Sequence, residues 1–323
     1  MIRRKTRQIY HNWKAYLHRY VWPLPKFHRE VVVMVDGKMF HGGLTDRFRN
    51  ILSVYDYCKS HTLPFKLYYI HPCDLKKILA PASYDWRIGT KELSHHFADT
   101  KEIVLYVKPI ESYPTEEDFI TDNNLSHTVL LDQATQHYKH TQFHVYGNSM
   151  MAEGRYKSLF EELFTPTAYL QSRINQCLHD MPEEYEAVTL RFQQLLGDFE
   201  EGNFKVLSSL EREGLINCCI NKIMQLRQEG AFSTKKLLVT SDSVTFIHQV
   251  SKVPGIYTIP GEMKHMDFTN DKDIAMNAKS FLDLHLLSRA KRITLLQTGS
   301  MYKSGFPRFA AELGGKPFRT ICF

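Results

Sequence analysis

The run Val31-Val-Val-Met-Val35 constrains this chain more than any other stretch. Five apolar, mostly β-branched residues in a row suit a strand buried on both faces, as in a parallel sheet. The run leads through Gly42 and Gly43 into Leu44, Phe48, Ile51, Leu52 and Tyr55, which recur at helix spacing. Strand, glycine turn and helix N-terminus in that order make an anion-binding device. Glycine lets a phosphate reach the backbone, while free amides and the helix dipole favour negative charge. Arg47 and Arg49, in the first turns, can add charge-assisted hydrogen bonds. The same residues also fit an ordinary strand-to-helix turn with surface arginines, the commoner outcome for such a segment.

The alternation continues along the chain. Strands are predicted over 65–70, 103–107 and 142–146, with a short helix near 74–79. An irregular polar stretch precedes the strand at 142, and 155–180 reads as helical. His179-Asp-Met-Pro-Glu-Glu184 marks a break between halves. The second half predicts strands over 187–192, 236–240, 255–259, 293–296 and 318–322. Helices are predicted over 207–229, after 243, over 275–289 and over 307–313, the last closed by Gly314-Gly315. Strands alternating with helices imply parallel sheets covered on both faces. The fold class is therefore α/β, with two doubly wound domains facing each other across a cleft and a basic helix in front. The expected boundaries are 1–29 for the basic segment, 30–180 for an N-terminal domain with its linker helix, and 181–323 for a C-terminal domain. Ligands of such sheets sit at the carboxyl ends of strands, near a switch point.

Charge is unevenly placed. Of 41 Lys and Arg against 35 Asp and Glu, residues 1–30 hold eight basic and one acidic, leaving 33 basic and 34 acidic residues elsewhere. The body is close to neutral, which argues against a nucleic-acid partner. Within the basic segment Ile9, Trp13, Tyr16, Leu17 and Tyr20 share one helical face, with Arg3, Arg7 and Lys14 opposite. Such a helix over residues 1–22 suits an anionic membrane surface, or a helix docked on the protein's own body. No apolar run approaches the roughly 20 residues of a membrane span, and no apolar segment of signal-peptide type follows the basic residues. The six cysteines form no CxxC pair, so reduced thiols in a cytoplasmic protein are expected.

The groups that could carry chemistry fall mostly just after predicted strands. Arg191 ends one, where a cation can hold a diphosphate or pair with an acid at a sheet edge. Thr240-Ser241-Asp242-Ser243 ends another, where hydroxyls and a carboxylate can bind a ribose or base, or cap the next helix. Thr298-Gly299-Ser300-Met301-Tyr302-Lys303-Ser304-Gly305 follows a strand and opens a helix whose first residue is predicted to be Pro307. Hydroxyl donors and two glycines at a helix start are what a phosphate needs. The loop lacks the GxxxxGK[ST] pattern, which excludes a Walker-type kinase or ATPase. Asp283 lies in an apolar helix before that strand and needs partners; hydrogen bonds from the serine loop are one expectation. Asp271-Lys-Asp273 matches a DxD spelling but reads better as a helix cap, and His95-His96 and His265 lack ligand spacing. No metal is expected.

Together these clusters resemble the fucosyltransferases of the two-Rossmann-domain (GT-B) type. That group holds the alpha-1,6-fucosyltransferases, the rhizobial nodulation fucosyltransferase and the protein O-fucosyltransferases. Gly42-Gly-Leu-Thr-Asp-Arg47 is similar to the family's opening glycine motif. Thr189-Leu-Arg191 matches the arginine of its His-x-Arg-type motif, which holds the donor phosphate, but lacks the histidine. Ser241, Asp242 and Ser243 look like its acidic nucleotide-binding strand end. The run from Phe281 through Asp283 to Ala290, followed by Thr298 to Phe306, is similar to its last motif, an apolar helix with an aspartate, a strand and a serine-rich loop.

The resemblance implies inverting transfer of fucose from GDP-fucose to a glycan or lipid-linked oligosaccharide, without a metal or other cofactor. It implies that Gly42, Gly43, Arg47, Ser241, Asp242, Ser243, Asp283, Thr298, Gly299, Ser300, Tyr302 and Ser304 surround the donor, with Arg191 on the diphosphate. Asp46 and Asp198 are the candidates for the base that takes the acceptor's proton, and both also fit as helix caps. The expected setting is bacterial surface-polysaccharide synthesis on the cytoplasmic face of the inner membrane. Two rivals stand beside it: the same fold with another nucleotide sugar, and a non-catalytic scaffold that binds glycans or membranes.

Overall fold

The computed structural model describes residues 2–22, 29–140, 142–198, 206–234, 236–261 and 274–323. Its elements run, in order, α1 (Ile2–Tyr20), β1 (Glu30–Val35), α2 (Leu44–Ser60), β2 (Phe65–Tyr69), β3 (Leu79–Pro81), β4 (Thr100–Leu105), α3 (Glu116–His137) and β5 (Gln142–Gly147). There follow α4 (Tyr156–Leu163), β6 (Phe164–Pro166), α5 (Ala168–His179), β7 (Glu186–Leu190), α6 (Ser209–Gln228), β8 (Leu237–Ser241) and α7 (Val244–Val250). β9 (Ile256–Thr258), α8 (Ile274–Arg289), β10 (Ile293–Gln297), α9 (Phe306–Gly314) and β11 (Phe318–Cys322) complete the chain. Among the described residues no helix is long and apolar enough to cross a membrane.

The chain divides into two compact units. The first comprises Met1–Gly42, Asp46–Ile70 and Pro81–Arg155. Its sheet has the order β2-β1-β5-β4, and every pairing is parallel. β1 lies between two neighbours and is buried from Val31 to Val35, which is why its sequence does not alternate. Phe48, Ile51, Leu52 and Tyr55 of α2 are buried, as the helix spacing predicts, and burial extends beyond that stripe to Arg47, Asn50, Ser53 and Val54.

The second unit comprises Gly43–Thr45, His71–Ala80 and Tyr156–Phe323. Its sheet has the order β11-β10-β7-β8-β9, again parallel throughout. Val188 and Leu190 of β7, Leu237 and Val239 of β8, and Leu296 of β10 join Ile216, Cys219 and Ile223 of α6 in one buried cluster. Burying each such side chain contributes about 1.5–3 kcal/mol, so this cluster anchors the sheet that carries the loops discussed below.

Three expectations about elements change. The polar stretch before β5 is largely the 22-residue α3. Thr115 caps it, accepting from the Asp118 amide, and three acids fill its first turn. Its buried stripe is Phe119, Asn123, His127, Leu131, Ala134 and Thr135, so half of the inward face is polar and apolar periodicity is absent. Those polar groups are satisfied: Asn123 accepts from the Lys108 amide at 2.9 Å, and His127 Nδ1 lies 2.9 Å from Ser149 Oγ. The helical stretch over 155–180 is interrupted at Phe164–Pro166, which pairs with β3. Pro166 disfavours helix at the preceding residue, and Thr167 restarts the chain as the cap of α5. The strand expected over 103–107 is Thr100–Leu105, because Asn148 Oδ1 takes the Val107 amide at 2.8 Å and ends the ladder.

Candidate functional site

In the second unit β7 sits mid-sheet, with β8 and β9 on one side and β10 and β11 on the other. The chain reverses direction across the sheet between β7 and β10, and loops diverge at such a point. The three sequence clusters leave the carboxyl ends of three adjacent strands: Arg191 after β7, Asp242-Ser243 after β8, and the serine loop after β10. Sequence reasoning placed these residues in separate motifs; the strand order brings them to one edge.

Arg191 is 17% exposed in its side chain, and its Nε lies 3.4 Å from Asp242 Oδ2. Asp242 is buried and does more than pair with that guanidinium. Its Oδ1 accepts the Phe192 amide at 2.9 Å and its Oδ2 the Gln193 amide at 2.7 Å. Gln193 has φ of +51°, an uncommon conformation that the carboxylate pins. The Ser241 hydroxyl donates to Oδ1 at 3.3 Å. Burial pushes the Asp242 carboxyl up, while Arg191 and the two amides favour the anion. With three donors and a cation on it, Asp242 is a brace for the turn that carries Arg191 rather than an open ribose acceptor.

The serine loop is tied to the same turn. The Tyr302 amide donates to the Arg191 carbonyl at 3.2 Å. Thr298 bonds its hydroxyl to the Phe323 carbonyl, and Gln297 donates to the Met301 carbonyl at 2.8 Å. Gly299, Ser300 and Tyr302 are exposed. α9 begins with Phe306, one residue before the predicted Pro307, and ends with Gly315 as its left-handed cap. Its N-cap is Gly305, with no side-chain cap bond, and Ser304 Oγ accepts the Phe306 amide at 3.3 Å. Pro307 has no amide, and the Phe309 amide bonds the Gly305 carbonyl at 3.0 Å, so this N-terminus offers an anion the positive end of the dipole and the serine hydroxyls rather than a row of free amides.

Other expected site residues serve the framework. Ser243 caps α7, accepting the Phe246 amide at 3.1 Å, and Ser241 Oγ accepts the Ser243 amide at 3.1 Å. Asp198 Oδ2 receives the Ser243 hydroxyl at 2.8 Å and the Thr245 amide at 2.7 Å, so this carboxylate closes the start of α7. Asp283 is not held by the serine loop, as the sequence suggested. Its partner is Lys279, one turn earlier on α8, because a fully buried carboxylate takes the nearest cation. Burial pushes its pKa up and Lys279 opposes the shift.

The first unit also has a switch point, between β1 and β5, and the glycine loop leaves β1 there. Gly42 has φ of +69°, and a Cβ on it would lie 2.6 Å from Asp46 Oδ2, so the turn requires glycine at that position. Asp46 is half-buried in the first turn of α2. Arg47 is not the surface arginine the sequence suggested: it is 1% exposed. Its Nε donates to the Gly42 carbonyl at 3.0 Å, its Nη1 donates to the Tyr69 hydroxyl at 3.1 Å, and its guanidinium lies over the Tyr69 ring. It braces the loop from inside. Arg49 has its Nε buried without a hydrogen-bond partner among the described residues.

Sequence reasoning missed Asp36, whose signal was a carboxylate directly after a strand. It accepts the Lys38 amide at 3.0 Å and the Tyr146 hydroxyl at 3.3 Å, and His41 stacks on Tyr146. Burial opposes ionisation of Asp36, but His41 and Lys38 outweigh it and hold the carboxyl well below the usual range. Burial pushes His95 down to about 4 and His144 to about 3, which keeps both neutral near pH 7. Among the described residues no group of three His, Cys, Asp or Glu is placed to hold a metal. Asp271, Asp273 and His265 lie outside the described residues.

No family model and no curated protein matches the chain in sequence. Solved structures do match in fold. The NodZ alpha-1,6-fucosyltransferase soaked with GDP-fucose is similar with a TM-score of 0.54 and 14% identity, over 88% of this chain and 92% of that one. NodZ from Bradyrhizobium is similar with a TM-score of 0.55, also at 14% identity, over 88% and 93%. A mutant of Arabidopsis thaliana FUT1 in complex with GDP matches with a TM-score of 0.53 and 12% identity, over 95% of this chain and 73% of that one. The chain thus has the α/β fold of the GT-B fucosyltransferases.

Proposed function

We propose that this chain is a glycosyltransferase that moves fucose from GDP-fucose to a glycan hydroxyl, with inversion and without a metal. The observation that carries the reading is the joining of Arg191 to the serine loop at the β7–β10 switch point, beside the N-terminus of α9. In the reaction the acceptor oxygen bonds to the anomeric carbon. The bond from that carbon to the diphosphate breaks, and its electron pair leaves with GDP. Charge therefore develops on the diphosphate, where a guanidinium, serine-loop hydroxyls and the helix dipole placed in advance stabilise the transition state more than the ground state. Ser300, Tyr302 and Ser304 extend this anion-binding edge, with residues 181–323 as the donor domain and 30–180 on the acceptor side. The acceptor's proton goes to a carboxylate. Asp46 and Asp198 are the candidates, and Asp198 Oδ2 takes two donors at the start of α7.

The fold shared with fucosyltransferases solved with GDP or GDP-fucose supports the donor. Exposed Trp13, Tyr16 and Tyr20 on α1, in a segment rich in Lys and Arg, support an anionic membrane as the place of work. That setting suits a lipid-linked acceptor in bacterial polysaccharide synthesis on the cytoplasmic side of the membrane. The test is a transfer assay with GDP-fucose and a panel of lipid-linked glycans, run with and without EDTA. Turnover unchanged by the chelator is expected. Activity lost in EDTA and restored by manganese would move the phosphate-binding role to a cation.

A further inference from the structure

A buried ion pair lies near the Arg191 edge and has no part in holding it. Lys279 on α8 is 7% exposed and bonds the Asp283 carboxylate. Replacing such a pair with apolar side chains often costs a fold nothing, so stability does not account for it. Lys279 also lines a pocket of about 30 Å³ at the carboxyl end of β8, with Ser241, Asp242, Ile247 and Ile259. The adjoining Gly261 has φ of +108°, and a Cβ there would lie 3.3 Å from Lys279 Cδ. Glycine thus lets the backbone pack against the lysine stem.

Charge and size narrow what this pocket can accept. Asp283 offsets Lys279, and the Asp242 carboxylate also lines the pocket, so the pocket itself has no net positive charge to attract a phosphate. An ammonium has three N–H donors, and one bond to Asp283 leaves capacity for a neutral acceptor. The pocket has room for a few small atoms beside Lys279 and opens to solvent, so it can take the edge of a ring whose body lies outside. Ile247 and Ile259 supply apolar surface for a flat ligand. A nucleobase has this combination of apolar faces and a polar edge.

We infer that Lys279 is a specificity-determining residue that reads a carbonyl oxygen on the base of the donor nucleotide. The inference rests on the proposed nucleotide-sugar donor. Guanine O6 and uracil O4 accept hydrogen bonds, whereas adenine and cytosine place amino donors at the corresponding positions, which an ammonium rejects.

Calorimetric titration of the full chain with GDP, UDP, ADP and CDP tests it. The wild type is expected to bind GDP and UDP at least about tenfold tighter than ADP and CDP, the discrimination of one good base contact. The double variant Lys279→Met/Asp283→Leu removes both buried charges together, and there the preference falls to about twofold or less. Gly261→Ala presses on the lysine stem from outside the pair, and is expected to weaken GDP and UDP while leaving ADP and CDP unchanged. Equal binding of all four nucleotides by the wild type, or the wild-type preference surviving in both variants, overturns the inference. A wild type that binds none of them overturns the donor reading itself, a distinguishable result.

Discussion

The two carboxyl edges carry the same ingredients, an arginine, a glycine-containing loop and a helix start, and use them in opposite directions. In the first unit Arg47 is buried, and its bonds run inward to the Gly42 carbonyl and the Tyr69 hydroxyl. In the second unit Arg191 keeps partial exposure, and a buried aspartate braces it from behind. An arginine after a strand is therefore not evidence of a phosphate site until its direction is known. The difference lies in what stands behind each side chain. Behind Arg47 stand the Gly42 carbonyl and the Tyr69 hydroxyl, which it satisfies directly. Behind Arg191 the Asp242 carboxylate already holds the turn through the Phe192 and Gln193 amides.

The contrast can be broken in order of expected effect. Arg191→Ala should lower kcat by about 10² to 10³, since it removes a donor used chiefly in the transition state, with the fold retained but destabilised because buried Asp242 loses its cation. If transfer is unaffected, the second edge is no more catalytic than the first. Arg47→Ala should do the reverse, costing about 2–3 kcal/mol in urea unfolding by leaving buried acceptors unpaired. An unfolding curve that does not move would mean Arg47 is free to serve a ligand. Asp242→Asn should lower kcat roughly tenfold through Arg191, an effect that vanishes in the Arg191→Ala background if the two act as one unit. Additive losses in the double variant would make Asp242 an independent contact.

A separate effect, on stability alone, is acid sensitivity in the first unit. The folded pKa of His144 is pushed down to about 3, below an unfolded value of about 6.5. The unfolded chain therefore binds the proton first. Stability is full above about pH 6.5 and falls as pH drops through the window towards 3, by up to about 1.4 kcal/mol per pH unit for this one proton. His144→Gln should flatten the urea midpoint between pH 6 and 4 relative to wild type. An equally steep profile in the variant would assign the slope to other groups, such as His95.

Much of the fold was legible because burial leaves a plain mark on central strands. Val31–Val35 reads as buried on both faces, and Phe318–Cys322 was predicted to the residue. α3 was not legible, because Asn123, His127 and Thr135 occupy its inward stripe and their partners are far away in sequence. The break at Phe164–Pro166 carried a local mark, Thr165-Pro-Thr167, that the helical spacing on either side outweighed. At the site, the serine loop and the start of α9 followed from glycine and proline placement, which local backbone chemistry dictates. The capping of α7 by Asp198 was one of the two readings the sequence offered. The Asp283–Lys279 pair was missed although its i,i+4 spacing on one helix is visible in the chain. The inward course of Arg47 did not follow, because its partner Tyr69 is near only in three dimensions.

The central claim is that the second unit grips a donor diphosphate with a guanidinium and the serine loop that opens α9. A crystal structure of the chain with GDP bound tests it most directly. The account predicts diphosphate oxygens within hydrogen-bond distance of the Arg191 guanidinium and the loop over residues 300–304. A diphosphate seated elsewhere, with Arg191 turned away from it, would contradict the account.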